Sequence, residues 1–132
     1  MHGRLWCGLL CLLFATGYAQ AAEPTIITLS CDGTVRTDVL KDKGQREAIS
    51  KVGVVVNLVE RTVSFTGYVG EIDNADAAVI QFSGNKTKTL QGVNSDTGGF
   101  IDRVTGAMNA TTSNGVIRMD YDLVCKPASR VF

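Results

Sequence analysis

The chain has one histidine and one tryptophan, His2 and Trp6, and both lie within its first 21 residues. Those residues carry the pattern of an export signal that is cut away. Arg4 and the α-amino group give a basic start, Leu5 to Ala15 form an apolar run, and Ala19-Gln20-Ala21 is a small-x-small cleavage triplet. A membrane anchor is the competing reading, because the 18 residues from Leu5 to Ala22 are uncharged. That is the low end of a spanning length, only 11 of those residues are strongly apolar, and no basic stop-transfer cluster follows. Cys7 and Cys11 lie inside the apolar run and Cys31 well beyond it, so none has the position of a lipidated cysteine. The expectation is a secretory signal peptide at 1–21 and a single domain at 22–132, periplasmic or secreted, with no stable membrane insertion after cleavage.

With the signal removed, what is missing defines the chemistry. A domain without histidine has no Ser-His-Asp or Cys-His nucleophile and no His-ligated metal. Residues 22–132 carry 12 Lys+Arg against 13 Asp+Glu, a net charge of −1, so no electrostatic partnership with nucleic acid is expected. Only two prolines remain, Pro24 and Pro127, near the two ends, and strands between them run without interruption by this residue.

Two cysteines also remain, Cys31 and Cys125. An oxidising compartment pairs thiols, and two cysteines allow one intramolecular bridge. Without histidine or a Cys-x-x-Cys spacing they suit neither a tetrahedral zinc site nor thioredoxin-type redox chemistry.

The dominant pattern in 22–132 is alternation of period two. Ile27, Leu29 and Cys31 share one face. Val52, Val54, Val56 and Leu58 share another, with Val55 and Val59 making that run apolar on both sides. Val63, Phe65, Gly67 and Val69 continue the alternation, as do Ala78, Ile80 and Phe82. In the last run Ile117, Met119, Tyr121, Leu123 and Cys125 oppose Arg118, Asp120, Asp122 and Lys126. Both cysteines thus fall on core faces, one in the first strand and one in the last, so the terminal strands are expected to lie together. Turns are read at Val59-Glu60-Arg61-Thr62 and at Ile101-Asp102-Arg103-Val104, the latter closed by a left-handed Gly106. The two share an apolar–acid–Arg–x pattern too short to mark a repeat. Asp32–Ser50 and Ser83–Gly99 read as loops, the first charged and the second rich in Gly, Asn, Ser and Thr, with an edge strand near Lys86–Leu90. The fold expected is all-β: a small antiparallel sandwich or barrel of about six to eight strands, closed by one disulfide.

Several motifs invite chemistry and have plainer readings. Ser83-Gly84-Asn85-Lys86 matches Ser-x-x-Lys, but the serine ends a strand rather than opening a helix. Asp73-Asn74-Ala75-Asp76 offers oxygen ligands for calcium, yet the pattern stops short of an EF-hand and reads as a solvated turn. Asp120 and Asp122 have the composition of a glycosidase pair, but they share an outward face with Arg118 and Lys126, as on an ordinary solvent face. Tyr68 and Tyr121 read as packing residues. Asn85-Lys86-Thr87 and Asn109-Ala110-Thr111 fit the glycosylation pattern, which matters only in a host that glycosylates. No catalytic, cofactor-binding or metal-ligating residue is assigned.

Gly44-Gln45-Arg46-Glu47, Val55-Val56-Asn57-Leu58, Thr62-Val63-Ser64-Phe65, Gly99-Phe100-Ile101-Asp102-Arg103-Val104-Thr105-Gly106 and Tyr121-Asp122-Leu123-Val124-Cys125-Lys126-Pro127 give the chain its resemblance to small exported proteins of alphaproteobacteria described only as hypothetical. The resemblance covers most of residues 44–127 and implies a periplasmic or secreted setting without an activity. The expected architecture also looks like that of periplasmic inhibitors of C-type lysozyme, though their inhibitory motif matches no stretch here. The functional expectation is a non-catalytic exported β-domain that binds a protein, an envelope component or a small ligand through its loops. The alternatives are a periplasmic hydrolase using Asp/Glu chemistry and a structural envelope protein.

Overall fold

Alternating sequences make strands that are apolar on one side, and closing such a sheet on itself buries that side without leaving an edge. The computed structural model, which describes residues 24–88 and 94–129, is built in this way. Its strands are β1 (Ile26–Val39), β2 (Arg46–Asn57), β3 (Thr62–Phe65), β4 (Tyr68–Ala75), β5 (Val79–Lys88), β6 (Asn94–Asp102), β7 (Ala107–Ser113) and β8 (Ile117–Pro127). Each pairs antiparallel with the next, and β8 returns to β1, closing an eight-stranded up-and-down barrel. Of the two architectures expected, the barrel is the one formed. The register climbs around it: Arg46 of β2 pairs with Arg36, Arg36 with Asp120, Asp120 with Thr111 and Thr111 with Gly98. Through Ser83, Glu71 and Thr62 the row returns to β2 at its far end, Asn57, as tilted strands require.

The seam where first and last strands meet carries the disulfide. Cys31 and Cys125 are register partners, bonded directly across β1 and β8. Inside, Val54, Val56, Val63, Ile80, Met108 and Leu123 fill the lower barrel. The middle holds an aromatic group in which Phe65 meets Phe82 and Tyr121 edge-on, with ring centroids 6.0 and 5.4 Å apart. Gly70 makes this packing possible, since a Cβ there would lie 2.8 Å from the Phe82 ring.

Three expectations about the strands are corrected. Asp32–Ser50 is not a loop: β1 and β2 run through most of it and pair as far as Arg36 with Arg46. Charge misled because the outer face of a barrel strand accommodates charged side chains, and Arg36 and Asp38 stand there as an ion pair, Asp38 largely covered. A β-bulge also breaks the alternation. Lys51 adopts a positive φ of 55°, and its N–H is taken by Asp32 Oδ1 at 2.8 Å. Ser83–Gly99 is largely strand as well, because β5 continues through Lys88 and β6 begins at Asn94. Lys86 and Lys88 therefore lie on a paired strand rather than an edge, and Leu90 is outside the described residues. Finally, the run from Thr62 to Val69 is two strands. Thr66 and Gly67, both at positive φ, make a two-residue hairpin turn, after which Tyr68, Gly70 and Ile72 take the inward positions in place of Val69. The region read as a signal peptide, 1–21, lies outside the described residues. Among the described residues no helix is long and apolar enough to cross a membrane.

Candidate binding site

Three turns close the end of the barrel near the disulfide, and one device shapes each of them. Asn57 Oδ1 accepts the N–H groups of Val59 and Glu60, Asp76 Oδ1 those of Ala78 and Val79, and Asp102 Oδ1 those of Val104 and Thr105, all at 2.8 to 3.1 Å. A short side-chain oxygen two residues before a backbone donor mimics a backbone turn. For the two aspartates these bonds stabilise the ionised form. The N–H of Val79 and then that of Ala78 hold Asp76 below its ordinary pKa, and the N–H groups of Thr105 and Val104 do the same for Asp102. Gly106, at φ +81°, closes the last turn as expected, and its N–H reaches Asp102 O. Its carbonyl accepts from Cys125, so the turn folds back against β8.

Between that turn, the start of β1 and the end of β8 lies a pocket of about 370 Å³. Its apolar wall comes from Ile27, Leu29, Val56, Ile80 and Ile101, with Cys125 beside them. The strands fix these side chains, and Val56, Ile80 and Ile101 are fully buried core residues whose faces form the floor. Asp102, Arg103 and Lys126 stand in the polar part of the lining. The volume is in the range of small-molecule sites, roughly 300–1,000 Å³, and the character is the usual one: an apolar chamber with few polar groups.

A second recess of about 520 Å³ lies beside it, bounded by Leu58, Arg61, Ala75, Asp76, Ala77 and Arg103. Arg103 lines both spaces. The arginines of the two look-alike turns thus meet here, although the turns are not built alike: Asn57, not Glu60, closes the first. Arg61 Nη2 donates to Ile72 O at 3.1 Å and Arg103 Nη1 to Asp76 O at 2.7 Å.

The motifs weighed from sequence are dispersed into structural work. Ser83 lies on β5 and donates to Asp73 at 2.6 Å, far from any helix start. Asp73 is thereby engaged apart from Asp76, and among the described residues no three His, Cys, Asp or Glu side chains are grouped to hold a metal. Asp120 and Asp122 do share the outer face of β8, but they do not form a pair. Asp120 is the partly buried centre of a cluster, accepting from Arg36 at 2.9 Å, Thr111 at 2.9 Å and Arg118 at 3.3 Å. Burial alone would raise its pKa; the Thr111 hydrogen bond and the charges of Arg118 and Arg36 outweigh that and lower it. Arg36 also grips Asp38, whose Oδ1 takes the Gly44 N–H. Tyr121 is a core residue, as read, while Asn109 is exposed on the outer wall; the side chain of Asn85 is outside the described residues.

Sequence reasoning missed the pocket and the arginine recess. Pocket-lining aliphatics are indistinguishable by alternation from those that fill a core. The one available signal was the repeated arginine in the two turns. No protein-family model, no curated protein and no solved structure matches the chain.

Proposed function

We propose that this protein is a non-catalytic exported binding barrel that takes a small apolar ligand, such as an envelope component, at its disulfide end. The observation that carries the reading is the pocket of about 370 Å³ walled by Ile27, Leu29, Val56, Ile80 and Ile101. Strand-borne walls cost little reorganisation when a ligand enters, and apolar area leaving water supplies the affinity, about 25 cal/mol per Å² before the costs of association. The disulfide across the closing seam suits an oxidising compartment, which supports a periplasmic or secreted setting.

The hydrolase reading draws less support. Acid–base hydrolysis of glycosides uses two facing carboxyl groups, one with a raised pKa. Asp76, Asp102 and Asp120 each line a different described pocket, and hydrogen bonds hold all three towards the ionised form.

An uncharged apolar dye, N-phenyl-1-naphthylamine, tests the reading. Its fluorescence is expected to rise on titration with the purified protein. Ile27→Trp, placed at the half-buried mouth, is expected to fill the pocket and remove most of that rise while the protein stays folded. No rise with the native protein, or an equal rise with Ile27→Trp, would count against the pocket.

A further inference from the structure

The outer wall over β6, β7 and β8 carries a hollow of about 370 Å³ that shares no lining residue with the apolar pocket. The geometry points to a saccharide site there: a pyranose ring of a glycan lies against Phe100 in the space left by Gly98, with its hydroxyls at Asn109, Thr111 and Arg46. This site is independent of the apolar pocket and adds a second ligand class to it.

The strand register puts the parts together. Phe100 of β6 is the partner of Asn109 on β7, and Gly98, two residues along, is the partner of Thr111. Phe100 is an aromatic residue 39% exposed on the outside of a paired strand, and Asn109 beside it is exposed as well. Gly98 keeps the wall open between them. A glycine inside a strand weakens it, and such a position often marks the close approach of a ligand. Packing does not ask for glycine here: the nearest atom to a Cβ at 98 would be Phe82 O at 3.7 Å, an ordinary contact, and φ is not positive. Gly99 differs, since a Cβ there would run into Asn109 O and Ala110 Cα. The rim supplies donors and acceptors. Thr111 Oγ1 gives its proton to Asp120 at 2.9 Å, which leaves the oxygen able to accept. Arg46 Nη1 donates to Thr34 Oγ1 at 3.2 Å, and a guanidinium has further N–H groups to offer. A pyranose presents a face of C–H groups and a rim of hydroxyls that both donate and accept. The C–H face suits the electron-rich face of an aromatic ring, and the hydroxyls suit an amide, a threonine oxygen and a guanidinium.

Amide-resolved NMR titrations of the purified protein with chitotetraose and with cellotetraose test the site. Shifts at Gly98, Phe100, Asn109 and Thr111 are expected to saturate with at least one sugar, at roughly millimolar affinity for so open a site. The tighter of the two distinguishes an N-acetylated glycan from a plain one. Phe100→Ala is expected to weaken binding about tenfold through the lost ring contact, while Phe100→Tyr keeps it. Gly98→Thr fills the hollow with a residue that suits a strand, so it is expected to melt no lower than the native protein and to lose the sugar. Should Gly98→Thr melt lower, Phe100→Ala, at an exposed position, still decides. Absence of shifts at these amides with both sugars up to about 20 mM, or native-like binding by Phe100→Ala, would overturn the inference and leave the apolar pocket standing.

Discussion

Tyr121 joins the core to the hairpin at the opposite end of the barrel from the pocket. It is 3% exposed; its Oη lies 3.3 Å from Thr66 Oγ1, and its hydroxyl donates to Met119 Sδ at 3.6 Å. Burial is the main influence on its acidity and raises the pKa above 10.0, partly opposed by the Thr66 hydrogen bond. The sign of the linkage follows. A folded-state pKa above the unfolded one means that the unfolded chain loses this proton first, so stability is full below about pH 10 and falls as pH rises through the folded value. Tyr121→Phe is expected to cost about 1 kcal/mol at neutral pH, through the lost hydroxyl contacts, and to flatten the alkaline decline. Denaturant melts at pH 7 and across the alkaline range check both. The same hairpin explains why Thr66, a β-branched residue, tolerates φ 46°: its hydroxyl faces Tyr121 and Gly67 completes the turn. Nearby in the upper barrel, Thr97 and Thr112 are register partners, 4% and 1% exposed, and neither hydroxyl has a hydrogen-bond partner.

Among the elements, the β1–β2 hairpin carries the most evident local strain. Val39 and Asp42 exchange backbone hydrogen bonds at 3.0 Å around Leu40 and Lys41, and Leu40 has φ 56° while 75% exposed. A two-residue loop with positive φ at its first position is where glycine is favoured, and a left-handed non-glycine residue costs roughly 1–2 kcal/mol. Leu40→Gly is therefore expected to stabilise the protein by about 1 kcal/mol, since the side chain has little burial to lose; thermal unfolding of the two proteins measures it. This hairpin also shows where the sequence stops being legible. In β8 the alternation from Met119 to Cys125 holds because no bulge interrupts it, and the core face is read correctly. In β2 the bulge at Lys51 puts Ile49 and Val52 on the same inward side three residues apart, so a reading by twos loses the strand. The charges of Arg36, Asp38 and Asp120 belong to a paired cluster on the outer wall, which sequence presents only as a charged stretch.

At the scale of the molecule, closure is the organising event. Eight hairpin-linked strands were within the expected range, and the cysteines on matching faces indicated that the first and last strands meet. Alternation alone cannot say whether they meet in one sheet or across two. The bridge joins residues 94 apart in sequence, and on the chain-entropy relation a loop of that length contributes about 4–5 kcal/mol. Replacing Cys31 and Cys125 together by alanine is expected to remove about 3–5 kcal/mol, read from denaturant midpoints, and reductant should have the same effect on the native protein. The pocket was not legible for a related reason. Ile27, Leu29, Val56, Ile80 and Ile101 have the pattern of core residues, and only the closed barrel shows that they line a pocket at its disulfide end. The most direct measurement is a methyl-resolved carbon–proton NMR titration of the purified protein with 1-octanol. Saturable shifts at the methyls of Ile27, Leu29, Val56, Ile80 and Ile101, with Leu40 and Val116 at the opposite end unmoved, are predicted; shifts confined to Leu40 and Val116, or none at all, would contradict the account.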